Sequence, residues 1–333
     1  MLQDYLLVCL AFVISFFIVY ISTKIWVNLA HKERIVAPDA HKRGTPNVAN
    51  LGGIPFAIHL VIYLIAGLLV SNLTYSLVII LSTLIGFTVG FLDDLKDLGL
   101  KKVALAFFAS IPILVFRAYV PRPLFPLIGG TRLYIVYPLI VIATYLVVMN
   151  ACNMVDTHNG ILAIQALFVL SSMLVFAILL NELQNVLFLT IALGAILGFL
   201  MLNKYPAKVF WGNCGSYSVG ALLATLIILS RKEYIALVAL LPTILQGFVV
   251  IMSVGGFMTR LLIRERKGRD SYVVNGIIYP SLRYDAPISI PRLIYLSSGP
   301  IDEKTLVKKY TLLFMLSFVL SLITGYFVYF VRL

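Results

Sequence analysis

Four clusters of polar residues interrupt an otherwise apolar sequence, and their residue types are those that bind phosphates and divalent cations. They read Asp39-Ala-His-Lys-Arg-Gly-Thr-Pro46, Asp93-Asp94-Leu-Lys-Asp97, Asn150-Ala-Cys-Asn153-Met-Val-Asp156-Thr-His158-Asn159-Gly160 and Gly212-Asn213-Cys-Gly-Ser216. Carboxylate and amide oxygens are ligands of hard divalent ions, which bind together with substrate phosphates. Cationic side chains beside such ligands neutralise phosphate charge. The clusters therefore predict a site for phosphoryl transfer.

The paired aspartates favour a bound cation. Asp93 and Asp94 lie at the predicted C-terminal end of an apolar helix, where the helix dipole disfavours a carboxylate by roughly 0.3–1 kcal/mol. Asp97 lies four residues after Asp93 and adds repulsion between like charges if the helix continues. Mg²⁺ is the candidate ion. The alternative is an acidic stop at a membrane boundary with Lys96 as its partner, and this segment alone leaves both interpretations open.

The third cluster has a helical spacing. Asn150, Asn153 and Asp156 recur every three residues, which places them on one face of a helix, and Asn159-Gly160 then predicts a turn. Such side chains could be helix caps or contacts at a membrane edge, but their density exceeds what capping requires. His31, His41 and His158 are candidates for proton transfer or phosphate contact, although an interfacial histidine is more often structural.

The elements that position these clusters are predicted to be transmembrane helices. The chain has 333 residues, of which 61% are hydrophobic and 12% are charged, whereas a soluble domain averages about 45–50% and about 25%. This composition excludes an ordinary soluble protein. The three cysteines have no paired spacing and predict neither a disulfide framework nor a zinc site.

Ten apolar segments are long enough to be predicted as membrane spans. The predicted fold class is therefore all-α, a polytopic integral membrane protein with a single domain over residues 1–333. The spans are approximately 5–27, 54–71, 76–92, 103–120, 133–149, 161–180, 185–202, 216–230, 234–255 and 310–331.

The distribution of basic residues predicts the orientation of the chain. Of 26 Lys and Arg residues, 19 fall in the connections that follow odd-numbered spans. The positive-inside rule therefore places these connections in the cytoplasm and both termini outside. The longest connection, 256–309, is predicted to be a folded, basic cytoplasmic loop. Because the net charge of +12 has this explanation, no nucleic-acid partner is expected.

All four polar clusters fall on the predicted cytoplasmic side, which indicates one site. A secondary transporter would instead place ionisable residues near the bilayer midplane and use both faces. A transporter or flippase for lipid-linked sugars nevertheless remains an alternative from another class, because it would share the topology and the basic face.

The motifs in this order resemble those of the polyprenyl-phosphate N-acetylhexosamine-1-phosphate transferases. This family includes the bacterial phospho-MurNAc-pentapeptide translocase and the dolichyl-phosphate GlcNAc-1-phosphate transferases of archaea and eukaryotes. The resemblance runs from about residue 38 to 260. The matching motifs are Lys42-Arg-Gly-Thr-Pro, Leu51-Gly-Gly, Phe91-Leu-Asp-Asp, Asn150-x-x-Asn-x-x-Asp with Asn159-Gly, and Val209-Phe-Trp-Gly-Asn-x-Gly-Ser.

The resemblance implies the reaction and its partners. A polyprenyl phosphate attacks the sugar-bearing phosphorus of a UDP-sugar, and UMP is released. It implies a Mg²⁺-dependent enzyme, with Mn²⁺ as an alternative, in the cell membrane with its active site in the cytoplasm. A homodimer is left open. The reaction would be the first membrane step of glycan assembly.

The resemblance also implies roles for individual residues. Asp93, Asp94 and Asp156 are the catalytic candidates, and Asn153, Asp156 and Asn213 are the metal ligands. Lys101 competes with Lys102 for one position. The substrate-binding candidates are Lys42, Lys102, Asn159, Phe210, Arg283 and Arg292.

Two departures from the family pattern bear on substrate and activity. Asn159-Gly160 replaces the usual Asp-Gly and is similar to the eukaryotic GlcNAc branch, which favours GlcNAc over a muramyl-pentapeptide. Asn213 replaces an aspartate that is a metal ligand in the family, and this substitution removes one negative charge. The three expectations are a metal held mainly by the other residues, a weaker-binding enzyme, and a catalytically degenerate paralogue.

Overall fold

The computed structural model describes residues 2–331, which form fifteen α-helices and one short 3-10 helix at Ala106–Ser110. The α-helices are α1 Leu2–Lys32, α2 Gly53–Ala57, α3 Leu60–Leu69, α4 Leu73–Lys96, α5 Lys101–Leu105, α6 Ile111–Val115, α7 Tyr137–Val155, α8 Ile161–Leu179, α9 Leu183–Asn203, α10 Gly212–Ser230, α11 Glu233–Ala239, α12 Leu241–Val254, α13 Arg260–Lys267, α14 Ile290–Ser298 and α15 Glu303–Tyr329.

Within residues 2–331, seven helices are long and apolar enough to cross a membrane: α1, α4, α7, α8, α9, α10 and α15. The pair α11 and α12 adds an eighth if it is one span, bent by 62°. Pro242 lies in the first turn of α12, where its missing N–H is tolerated but the preceding helix cannot continue straight through it. The helical membrane architecture is thus confirmed in its coarse form.

The two other predicted spans are helical but short. The predicted span 54–71 corresponds to α2 and α3, which break at Ile58 and His59, and 103–120 corresponds to α5, the 3-10 helix and α6. Neither segment has a continuous helix of membrane-spanning length. The count of ten spans and the outside placement of both termini therefore stay predictions.

The core is centred on α10, because 89% of its most apolar window is buried. It packs against α4 and α7, while α9 packs against α1 and α8. A helix that is apolar on all sides must be surrounded by other helices or by lipid. α10 therefore lies at the centre of the bundle, and its first residue, Gly212, begins the fourth polar cluster.

Short strands occur only in the connections, as far as the described residues go. β1 (Val36–Pro38) pairs with β2 (Asn47–Ala49), and a second hairpin joins β3 (Leu124–Phe125) to β4 (Gly129–Gly130). The segment 256–309 contains three further strands, β5 Ser271–Val274, β6 Ile277–Pro280 and β7 Ile301–Asp302. They form an antiparallel sheet in which β6 lies between β5 and β7.

Candidate functional site

The site begins where the end of α4 meets the beginning of α10. Asp94 accepts a hydrogen bond from the backbone N–H of Asn213 at 2.9 Å and another from that of Cys214 at 2.8 Å. The first N–H groups of a helix have no intrahelical partner and carry partial positive charge. The dipole of α10 therefore stabilises a carboxylate that the dipole of its own helix disfavours.

A glycine allows the two helices to meet at this point. A Cβ atom on Gly90, one turn before the aspartates, would lie 2.2 Å from the carbonyl oxygen of Asn213. Real Cβ atoms do not approach a backbone oxygen so closely, so a larger residue would push α10 away from α4. Gly90 thereby sets the distance at which Asp94 caps α10.

Asp93 is buried beside Asp94 and is the acceptor for three donors. Its carboxylate accepts from the Lys102 ammonium at 2.7 Å, from the Asn213 side-chain amide at 2.7 Å and from the Leu98 backbone N–H at 2.8 Å. The sequence left Lys101 and Lys102 as alternatives. The structure brings Lys102 to Asp93, whereas the side chain of Lys101 is exposed.

Asn213 links Asp93 to the third polar cluster. While its amide nitrogen donates to Asp93, its oxygen accepts from the Asn153 amide at 2.8 Å. Asn153 also donates to the Ser216 hydroxyl at 2.9 Å. A carboxylate at position 213 could accept from Asn153, but it could not donate to Asp93. The amide that departs from the family pattern therefore fits its surroundings.

A cavity of about 310 Å³ opens beside these groups. Six of the predicted site residues line it: Asp94, Asn153, Asp156, Asn159, Phe210 and Asn213. The other lining residues are Pro38, Asp39, Ala40, His41, Asn50, Thr157, His158, Asn203, Trp211 and Gly212. The cavity is thus shared by the four clusters that the sequence singled out.

The aromatic side of the cavity depends on a contact between two motifs that are far apart in sequence. The backbone N–H groups of Gly52 and Gly53 donate to the carbonyl oxygens of Phe210 and Trp211, at 2.9 and 3.0 Å. A Cβ on Gly52 would lie 2.6 Å from the Phe210 oxygen. The Leu51-Gly-Gly motif is therefore needed to hold Phe210 at the cavity, and Trp211 packs behind it as a fully buried side chain.

Four residues at the cavity's edge form a group that we call the Lys42 cluster: Asp39, Lys42, Asn159 and Glu303. The Lys42 ammonium hydrogen-bonds to the Asp39 carboxylate and, at 2.8 Å, to that of Glu303. Burial lowers the pKa of Lys42. The hydrogen bonds to these two carboxylates and their negative charges together raise the pKa by more than burial lowers it, so it lies above its ordinary value. The ammonium is therefore charged at neutral pH.

Two histidines stack between the Lys42 cluster and the cavity. The His41 and His158 rings have centroids 4.2 Å apart, and His158 hydrogen-bonds to Thr157 and Tyr295 at 2.9 and 3.1 Å. Burial, followed by the positive charges of His41 and Lys42, holds the pKa of His158 well below its ordinary value. His158 is therefore neutral at pH 7, and its packing is that of a positioning group.

Two sets of side chains could supply ligands to a metal ion. Asp39, His41 and Glu303 offer ligand atoms within 4.8 Å of one another, but the Lys42 ammonium already bonds to both carboxylates of this set. The second set faces the cavity and offers the carboxylate and amide oxygens of Asp94, Asn153, Asp156 and Asn213. Oxygen donors of this kind fit Mg²⁺.

Comparisons with known proteins bear on the same residues. The profile of the family described as Glycosyl transferase family 4 matches residues 76–231. A protein of Saccharolobus solfataricus that is named as a UDP-N-acetylglucosamine–dolichyl-phosphate N-acetylglucosaminephosphotransferase is 33% identical over 231 residues, 66% of this chain and 70% of that protein. The chain belongs to glycosyl transferase family 4.

Other members of glycosyl transferase family 4 extend the similarity along the chain. A protein of Sulfolobus acidocaldarius with the same name as the Saccharolobus relative is 30% identical over 265 residues, 74% of this chain and 78% of that protein. A phospho-N-acetylmuramoyl-pentapeptide-transferase of Fusobacterium nucleatum is 28% identical over 305 residues, 77% of this chain and 81% of its own. Together with the apolar helices, this membership identifies a multi-pass membrane protein.

The two arginines predicted to bind substrate from the segment 256–309 lie away from the cavity. Arg283 is exposed and pairs with Asp285 at 3.0 Å. Arg292 is buried, and its guanidinium donates to four backbone carbonyls of its own loop. Neither lines the cavity. The sequence offered no register for this loop, and the role of Arg292 in the structure is to close the loop on itself.

Sequence reasoning missed Glu303, which completes the Lys42 cluster, and Asn50 and Asn203, which line the cavity. Asp39 and Ser216 lie within the predicted polar clusters, but neither was a predicted site residue; in the structure Asp39 bonds to Lys42 and Ser216 accepts from Asn153. Glu303 could have been found by its charge, because it is an acidic residue at the start of the last apolar helix. Asn203 has no such signal, since an asparagine at the end of an apolar segment is typical of a helix end.

Proposed function

We propose that the protein transfers HexNAc-1-phosphate, most specifically GlcNAc-1-phosphate, from a UDP-sugar to a polyprenyl phosphate of the dolichyl type. An oxygen of the lipid phosphate forms a bond to the sugar-bearing phosphorus, and the bond from that phosphorus to the oxygen of UMP breaks. The products are UMP and a polyprenyl-pyrophosphoryl sugar. The reaction would be the first membrane step of glycan assembly.

The observation that carries this proposal is the convergence of oxygen ligands and an aromatic side chain on one cavity. Asp94, Asn153, Asp156 and Asn213 line it together with Phe210. Catalysis of phosphoryl transfer consists almost entirely of positioning phosphates and neutralising their charge. The side chains that line the cavity can position the phosphates. Lys102, which pairs with Asp93 beside the cavity, can neutralise their charge.

The two aspartates divide the work in this proposal. Asp93 does not line the cavity, and its carboxylate accepts three hydrogen bonds, from Lys102, Asn213 and a backbone N–H, so it serves to position those groups. Asp94 is half-buried and lines the cavity, and each of its oxygens accepts one backbone N–H from the first turn of α10, so each can still accept a further contact. We therefore assign contact with the reacting phosphates to Asp94.

We further propose that Mg²⁺, or alternatively Mn²⁺, is the cofactor. Asn153, Asp156 and Asn213 would hold the ion, because their oxygen donors suit a hard cation and line the same cavity. When bound, the ion would offset the charge of the transferring phosphates. The residues of the chain would bind and orient the substrates around it.

GlcNAc is proposed as the sugar on two grounds. The two archaeal relatives that are 30% or more identical carry names that specify a GlcNAc-phosphotransferase. In addition, Asn159 stands where an aspartate is usual; its side-chain amide donates to Asp39, and its backbone N–H donates to Glu303. The charge distribution of the sequence supports a cytoplasmic active site, and a homodimer stays a prediction.

The test is UMP release by the purified protein in detergent, given UDP-GlcNAc, a polyprenyl phosphate and Mg²⁺. UMP that forms only in the presence of both lipid and metal supports the transferase. Binding of the lipid-linked sugar without UMP would favour the transporter. No UMP from UDP-GlcNAc, UDP-GalNAc or UDP-Glc would favour a degenerate paralogue.

A pair of neighbouring lysines provides a matched control. Lys102→Met removes the ammonium that bonds to Asp93, whereas Lys101→Met removes an exposed charge of the same kind from the same turn. We expect Lys102→Met to lower turnover by about a hundredfold and Lys101→Met to leave it within twofold. Equal effects of both variants would argue against the site.

A further inference from the structure

Glu303 is a buried carboxylate that lies outside the residues matched by the family profile. It is the first residue of α15 and is 1% exposed, whereas its neighbours Asp302 and Lys304 are more accessible. Asp302 caps α15 by accepting from the backbone N–H of Thr305. The helix therefore has its cap without Glu303.

Both oxygens of Glu303 are used on residues from other parts of the chain. One accepts from the backbone N–H of Asn159 at 2.8 Å, and the other accepts from the Lys42 ammonium at 2.8 Å. Asp39 makes the complementary contacts, to the Asn159 side-chain amide at 3.2 Å and to Lys42. Asn159 is thus held at its backbone by one carboxylate and at its side chain by the other.

Stability of the fold does not by itself explain this arrangement. A buried ion pair is a weak source of stability, because desolvation of its members offsets their attraction, and apolar residues of similar volume often serve as well or better. What the pair does supply is a fixed position for polar groups that would otherwise have several rotamers. The groups that it fixes are Lys42 and Asn159, at the edge of the cavity.

Glu303 also connects the last cytoplasmic segment to the site. It follows β7 directly, and β7 pairs with β6 in the sheet of that segment. Glu303 contacts Lys42 across a separation of 261 residues. Through Glu303 the segment 256–309 therefore contacts Lys42 and Asn159 directly.

We infer that Glu303 is the positioning residue that aligns Asn159 and Lys42 for the sugar nucleotide. This inference rests on the proposed function and adds to it a determinant of donor binding from the C-terminal helix. Glu303 touches Lys42 and Asn159 and acts through them, so its loss weakens binding of the nucleotide sugar more than it slows the chemical step.

The experiment compares three variants at this position and beside it. Glu303→Gln keeps the size and one acceptor oxygen but removes the charge that faces Lys42. Glu303→Asp keeps the charge with a shorter reach. Asp302→Ala removes the cap of the same helix without touching the Lys42 cluster. Each is assayed for KM of UDP-GlcNAc, KM of polyprenyl phosphate, kcat, and melting temperature in detergent.

We expect Glu303→Gln to raise the KM for UDP-GlcNAc about tenfold, with kcat changed less and the KM for the lipid within twofold. Glu303→Asp should recover part of the loss. Asp302→Ala should lower the melting temperature and leave the KM for UDP-GlcNAc unchanged. An unchanged KM for UDP-GlcNAc in Glu303→Gln, or the same KM change in Asp302→Ala, would overturn the inference.

A second measurement separates this inference from the proposed function. Calorimetric binding of UDP and hydrogen exchange at residues 157–160 report on the alignment without any turnover. If the wild-type protein releases no UMP, the transferase proposal fails, while weaker UDP binding and faster exchange in Glu303→Gln still support the positioning role. If the wild type is active and Glu303→Gln matches it in UDP binding and exchange, only the positioning role fails.

Discussion

Two lysines near opposite ends of α10, Lys42 partly buried and Lys232 buried, form similar ion pairs that serve different purposes. Lys42 pairs with Glu303 at 2.8 Å and lies over the Tyr205 ring at 4.7 Å. Lys232 pairs with Glu182 at 2.7 Å and lies over the Tyr329 ring at 4.9 Å. The 19 residues of α10 span roughly 28 Å, so the two pairs are far apart.

The pairs differ in the number of carboxylates and in their setting. Lys42 has two buried carboxylates, Asp39 and Glu303, and its pKa is raised above the ordinary value. Lys232 has one partner, Glu182, which is partly exposed, and burial lowers its pKa despite that partner. Lys232 closes the turn before α11, whereas the Lys42 cluster has an additional carboxylate and adjoins the cavity. An excess of polar groups beside a cavity is typical of a functional site.

Asp94→Asn, at the end of α10 that adjoins the cavity, should have the largest effect on turnover. Turnover should fall by at least about a hundredfold, because the charge that faces the reacting phosphates is lost, while the amide oxygen can still accept from one of the two N–H groups of α10. UMP release and melting temperature are measured together. Asp97→Asn, an exposed change one turn later, is the control and should keep full activity; retained turnover in Asp94→Asn would place the chemistry elsewhere.

Glu182→Gln, at the opposite end of α10, should lower stability and leave turnover unchanged. It leaves Lys232 buried with a weaker partner, so the free energy of unfolding should fall by about 1–2 kcal/mol, less than for a fully buried pair because Glu182 is partly exposed. The KM and kcat of the folded protein should stay within twofold of wild type. A loss of turnover without a loss of stability would contradict the structural role.

Asn213→Asp tests the charge balance of the deep site. The Asn213 amide nitrogen donates to the Asp93 carboxylate at 2.7 Å, and the substitution replaces this donor with a second carboxylate oxygen. In EDTA the free energy of unfolding should fall by about 1 kcal/mol because of repulsion, and Mg²⁺ should restore it. Melting temperatures of wild type and variant with and without Mg²⁺ provide the measurement. An equal response of both proteins to Mg²⁺ would locate the ion away from Asn213.

The smallest effect concerns pH. The folded state lowers the pKa of Lys232 below 10.5, so the unfolded state binds more protons between those pKa values and stability rises there with pH. The raised pKa of Lys42 has the opposite sign, because its contribution is complete below 10.5 and is lost as the pH rises through the folded-state pKa. Lys232→Met should flatten the rise in melting temperature that accompanies the approach to pH 10.5. An unaltered slope would show that Lys232 does not titrate in this range.

Much of the site was predicted from the sequence because its residues carry chemistry that local spacing makes visible. The clusters around Asp93, Asn153 and Asn213 interrupt apolar helices, and polar residues at such positions need a reason. The structure brings all three clusters together. Arg283 and Arg292 do not line the cavity, and their role in substrate binding stays a prediction. A loop of short helices and strands has no periodicity that fixes which side chains face inward.

The sequence by itself determined that the chain is a helical membrane protein with one polar site, because hydropathy and residue type act locally and survive any arrangement of the helices. Tertiary structure alone decided that Asp94 caps α10, that Lys102 rather than Lys101 reaches Asp93, and that Glu303 contacts both Lys42 and Asn159. These contacts link residues that are far apart along the chain or choose between neighbours. They depend on the approach of whole helices, such as α4 and α10 at Gly90, which no local pattern encodes.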